Sequence, residues 1–151
     1  MSLGLYSWKR SATKHNFYII GDTEGNLNGQ IGSQYNDIFI IKISPDGTTE
    51  WTQLFERTPN LSFNSLLVSQ DGSIYFTGNT EHDLGGELVK DADDAFITKF
   101  DPSGYQLWTK LLGSLGSDKG YDIAETIDGS IIFTGSTSGN LKRNINSGGF
   151  D

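Results

Sequence analysis

The chain has no cysteine. Disulfides, thiolate metal sites and cysteine nucleophiles are therefore excluded. Histidine is almost as scarce: His15 and His82 are the two present. No G-x-S-x-G, no H-E-x-x-H and no glycine-rich phosphate loop ahead of a helix occurs, so no enzyme is expected. Basic residues are few, with 11 Lys and Arg against 19 Asp and Glu, a net charge of −8. Such a chain repels phosphate backbones and anionic lipid, which argues against a nucleic-acid partner. No apolar run approaches membrane-spanning length, and no signal peptide is visible at Met1-Ser2-Leu3. Extended helical apolar periodicity is missing too.

What is present is a repeat. Gly21, Gly78 and Gly135 are separated by 57 residues each (78 − 21 and 135 − 78). Trp51 and Trp108 keep that interval, as do Asp37, Asp94 and Asp151. So do Lys42 and Lys99, Pro45 and Pro102, and Asp71-Gly72 and Asp128-Gly129. A period of this size marks an array of units, none of which buries its own surface alone.

The most complete unit reads as four strands, at 63–69, 73–78, 94–100 and 106–112. Tight turns such as Ser44-Pro45-Asp46-Gly47 and Asp101-Pro102-Ser103-Gly104 join some of them, and polar glycine-rich loops join the rest. Around it, strands are expected at 6–15, 17–20, 37–43, 50–55, 121–127 and 131–135. Each unit is then an antiparallel meander. In the strand at 37–43, Phe39, Ile41 and Ile43 point one way and Ile38 and Ile40 the other, so both faces need cover. Neighbouring sheets of the same kind supply it. The expected fold is all-β, a β-propeller fragment of about two and a half four-stranded antiparallel blades: blade 5–56, blade 62–113 and partial blade 120–151. An open β-solenoid is the alternative, although 57 residues is long for a solenoid turn.

Asp94-Ala-Phe-Ile-Thr-Lys-Phe-Asp-Pro-Ser-Gly104, Leu107-Trp108, Leu111-Leu112-Gly113 and Asp128-Gly129-Ser-Ile-Ile-Phe-Thr-Gly135 together resemble the bacterial seven-bladed β-propeller repeat family (SBBP). The chain departs from that pattern at 60–64 and at Lys14-His15, where an Asp-Gly turn would stand. The resemblance implies a propeller, often in a bacterial secreted or cell-surface protein, with the first strand of each blade lining a central channel. It carries no catalytic residues onto this chain. Two and a half blades do not close a ring, so the rest of a larger propeller, or self-association, is expected to cover the open blades.

Residues found in every unit are expected to build the blade. Asp37, Asp94 and Asp151 would accept N–H bonds from the preceding loop. Trp51 and Trp108 would pack between blades. Lys42 and Lys99 would snorkel or pair with a carboxylate. The loop from Glu81 to Asp94 differs by its concentration of acids. Asp83, Glu87, Asp91, Asp93 and Asp94 are candidate ligands for calcium, although the spacing matches no EF-hand and Lys90 lies among them. Otherwise no cofactor is expected. The functional expectation is a non-catalytic scaffold or protein-interaction module. Loops rich in Asn, Ser, Gly and Thr near Tyr35 and Tyr105 give a carbohydrate-binding alternative. A carboxylate-pair glycosidase is the third reading.

Overall fold

The computed structural model describes the backbone of residues 3–10, 16–32, 36–55, 59–90 and 92–140, and side chains from residue 16 onward, Asn36 excepted. The described residues form ten strands and no helix. Strands β1 (Leu3–Arg10), β2 (Phe17–Glu24), β3 (Asn36–Ile43) and β4 (Thr49–Phe55) make one sheet. Strands β5 (Ser62–Val68), β6 (Ile74–Thr80), β7 (Asp94–Phe100) and β8 (Gln106–Leu112) make a second. Strands β9 (Asp118–Glu125) and β10 (Ile131–Thr137) make a third. Every pairing is antiparallel and joins consecutive strands.

Several strand limits differ from expectation: β2 runs on from 20 to Glu24 and β10 from 135 to Thr137, and the first and ninth strands are shifted. The first strand begins at Leu3, because its ladder with β2 extends to the Leu3–Thr23 pair, and 11–15 lie outside the described residues. The strand expected at 121–127 instead spans Asp118–Glu125. Thr126 starts the next turn, its carbonyl accepting from Gly129 N, and Asp118 N is drawn in by the carbonyl of Asp93 at 2.8 Å.

The four described hairpin turns share one construction. The carbonyls of Ser44, Ser69, Asp101 and Thr126 each accept from a glycine N–H three residues on. Those glycines, Gly47, Gly72, Gly104 and Gly129, all have φ between 82° and 89°. A carboxylate inside each turn ties down the flanking backbone. Asp71 Oδ1, for example, accepts from Ser73 N and from the Ser69 hydroxyl.

The sheets pack face on face, the first on the second and the second on the third. Tyr18, Ile20, Ile38, Ile40 and Phe55 of the first sheet meet Leu66, Ile74, Phe76, Phe96 and Phe100 of the second. Phe55 joins them, its ring centroid 4.8 Å from that of Phe76 and 5.8 Å from that of Phe100. The other face of the second sheet receives β9: a Cβ on Gly120 would lie 2.3 Å from Thr77 Oγ1. Cover therefore changes along the stack. In β6 all residues but Asn79 are buried, in β2 four of the eight are, and in β10 none is buried.

The repeated glycines have a packing cause. Asn64 and Tyr121 are bulged out of their ladders, and Gly78 and Gly135 lie across from those bulges. A Cβ on Gly78 would fall 1.8 Å from the Ser62 carbonyl oxygen, and one on Gly135 2.2 Å from that of Lys119. No side chain fits there.

Candidate functional site

The acidic loop between β6 and β7 is built like the loop between β2 and β3. In the second sheet Leu84 and Glu87 exchange both backbone bonds around Gly85-Gly86, at φ of 58° and 80°. In the first sheet Leu27 and Gln30 do the same around Asn28-Gly29, at 46° and 82°. These are the positive-φ pairs a two-residue turn requires. Each loop then folds back on a side-chain latch. Asp83 Oδ1 accepts from Val89 N at 2.9 Å, and Asn26 Oδ1 accepts from Gly32 N at 3.0 Å. The pairs Leu27–Leu84, Gln30–Glu87 and Asn26–Asp83 all fall on the repeat interval (84 − 27, 87 − 30, 83 − 26).

This construction accounts for several of the acids proposed to hold calcium. Asp83 does the work of Asn26, a neutral amide. Glu87 forms an ion pair with Lys110. Asp93 accepts from the Ser117 hydroxyl at 3.1 Å, holding the start of β9. Asp94 is fully buried, and its Oδ2 accepts from Lys90 N at 3.2 Å. Burial pushes the Asp94 carboxyl above its ordinary value, against the pull of that N–H. The Lys90 ammonium donates to the Gly113 carbonyl. Asp91 lies outside the described residues, as does Asp151. Among the described residues no three acids or histidines gather as metal ligands.

The other repeated positions take structural places. Asp37, like Asp94, is fully buried. Tyr18, Lys42 and Trp51 lie in one cross-strand row, as do Tyr75, Lys99 and Trp108. In each row the lysine ammonium sits over the tyrosine ring, at 6.0 and 5.1 Å, and the tryptophan meets it edge-on at 6.2 Å. Lys42 also pairs with Glu50 at 2.9 Å. Trp51 packs between sheets, within about 3.1 Å of where a Cβ on Gly104 would stand. Trp108 faces the third sheet, whose described strands do not reach it, and stays 39 % exposed.

Tyr105 sits in the turn between β7 and β8, separated from the loop ahead of β7 by the length of that strand. Tyr35 and His15 lie outside the described residues. His82 closes a local turn with Thr80.

One surface feature was missed in the sequence. Ile31 and Leu88 are 76 % and 74 % exposed, and both crown the loops just described. They fall on the repeat interval (88 − 31), and Ile145 holds the same place in the third unit, outside the described residues. An apolar residue recurring within a polar loop was the available signal.

No family model matches the chain. The chain is 27 % identical over 141 residues to the regulatory protein FlaEY of Caulobacter vibrioides. That match covers 86 % of this chain and 15 % of FlaEY, so the chain spans a small part of that relative's length.

Proposed function

We propose that the chain is part of a β-propeller that serves as a non-catalytic scaffold or protein-interaction module in a bacterial surface or secreted protein. The carrying observation is the recurrence of a large exposed aliphatic side chain, Ile31 and Leu88, on equivalent loops of successive sheets. A lone exposed leucine means nothing, but apolar residues repeated on one rim form a surface for a protein partner. Rigid two-residue turns and the Asn26 and Asp83 latches hold that rim in shape, which lowers the ordering cost of binding. The propeller reading draws on the stacked four-stranded meanders and on the sequence resemblance. The likeness to a protein named as regulatory accords with a role in interaction.

The test compares the chain with an Ile31→Ser, Leu88→Ser variant in affinity capture from the source bacterium. The expected result is a discrete protein held by the wild type and lost by the variant, with thermal stability unchanged. Equal capture by both, or hydrolysis of glycosides by the purified chain, would contradict the proposal.

A further inference from the structure

Strand β10 is the third copy of a strand that the first two sheets hold in their interior. There β2 lies between β1 and β3, and β6 between β5 and β7. Among the described residues β10 pairs with β9 alone. Exposure follows pairing. Tyr18 and Tyr75 are 4 % and 7 % exposed, whereas Ile132, at the same place in the repeat, is 50 % exposed. Gly21 and Gly78 are buried, and Gly135 is exposed. The strand, Ile-Ile-Phe-Thr-Gly-Ser-Thr, carries neither charge nor proline, the usual guards of a sheet edge.

The two complete sheets specify what fits beside it. In both, the third strand sets a phenylalanine opposite the repeated glycine, Phe39 opposite Gly21 and Phe96 opposite Gly78. Two residues earlier it sets an aspartate opposite a threonine, Asp37 opposite Thr23 and Asp94 opposite Thr80. Strand β10 offers the same glycine and threonine, Gly135 and Thr137 (135 − 78 and 137 − 80). Trp108 marks the far end of the place. Its counterpart Trp51 is packed by the turn that follows β7, and Trp108 is 39 % exposed.

We infer that the open edge of β10 binds an extended segment of a separate polypeptide that carries the spacing Asp-x-Phe. The segment adds as an antiparallel strand, its phenylalanine opposite Gly135 and its aspartate opposite Thr137. Main-chain hydrogen bonds supply affinity, and the phenylalanine over the glycine fixes the register. A second copy of this chain does not supply the segment. Its own Asp-x-Phe strands, β3 and β7, are interior strands of complete sheets, and its edge strands β1, β4, β5 and β8 lack that spacing. The inference is independent of the rim formed by Ile31 and Leu88.

The test titrates the purified chain with the capped peptide Asp-Ala-Phe-Ile-Thr-Lys-Phe, the sequence of β7, followed by amide chemical shifts and amide exchange. Saturable shifts and slowed exchange are expected in β10, with β2 to β4 unaffected. Alanine in place of the peptide's first phenylalanine should weaken binding about tenfold. The reversed peptide, of the same composition, should bind no better than the alanine peptide. In this register Ile132 faces the peptide's lysine, as Tyr75 faces Lys99. Ile132→Glu should therefore bind the peptide about fivefold more tightly than Ile132→Lys. The peptide comparisons use the native chain and so decide the matter even if a variant folds poorly. Absence of saturable shifts, shifts centred on β4 or β8, or equal binding of the reversed peptide would overturn the inference. So would slowed exchange in β10 brought about by raising the concentration of the chain alone, which would give the edge to a second copy.

Discussion

The α-carbon of Gly78 lies so near the Ser62 carbonyl that a Cβ built on it would stand 1.8 Å from that oxygen. The contact closes the ladder beside the bulge at Asn64, and an alanine there must push two strands apart. Gly78→Ala should cost about 3 kcal/mol, the upper range for overpacking a tight site. Gly129→Ala meets no atom within 4 Å and bears only the strain of φ 82°, about 1 kcal/mol. Urea denaturation of both variants checks the ranking, and equal costs would contradict it.

Trp51 and Trp108 are equivalent in sequence and unequal in cover. Trp51 is packed by the Gly104 turn of the next sheet, whereas Trp108 stays partly open. Trp51→Ala should cost about 3 kcal/mol. Trp108→Ala should cost about 1 kcal/mol, because less apolar area is lost from cover. Thermal melts of the two variants measure the difference.

Acid should destabilise the chain through its turns. The Ser69 hydroxyl, then Ser73 N, hold the Asp71 carboxyl below 3.8, and Asp46, Asp101 and Asp128 are lowered the same way by Ser44, Ser103 and Thr126. A carboxyl depressed on folding stabilises above its unfolded pKa, and that stabilisation disappears as pH falls through the folded value. Asp94 runs the other way. Burial raises it, so its contribution is full below 3.8 and lost as pH climbs through the raised value. Asp94→Asn should therefore gain stability over the wild type between pH 3.5 and pH 7. Chemical denaturation at both pH values tests this, and a difference independent of pH would contradict it.

Asp118 pins the third sheet to the second. It is buried, accepts from Ser114 N at 2.6 Å and takes the Ser114 hydroxyl as well. Asp118→Ala leaves those donors unpaired and should cost about 2 kcal/mol. Amide exchange should quicken in β9 and β10 and stay unchanged in β2 to β4. Uniform quickening would mean that the three sheets unfold as one unit.

The strands and turns were legible because the repeat aligns two or three copies of each signal. Pro45-Asp46-Gly47 and Asp71-Gly72 dictate their turns locally, and the strand at 94–100 was placed to the residue. The acids of the loop from Glu81 to Asp94 were harder to read. Their number suggested one site, yet Asp83 and Glu87 occupy places that Asn26 and Gln30 fill in the first unit, and partners such as Lys110 and Ser117 come from elsewhere in the chain. Ile31 and Leu88 were visible at the repeat interval, but only their exposure distinguishes a rim from a core.

The central claim is that successive units stack face to face and that the described stack ends on uncovered faces. Light scattering across a concentration series tests it most directly. Ile132 and Trp108 are exposed, and β10 pairs on one side only among the described residues. Apolar faces and open strand edges promote association. The account predicts a mass that rises above the 16.6 kDa of one chain with concentration, and less so in Trp108→Glu. A mass fixed at 16.6 kDa at every concentration would contradict it.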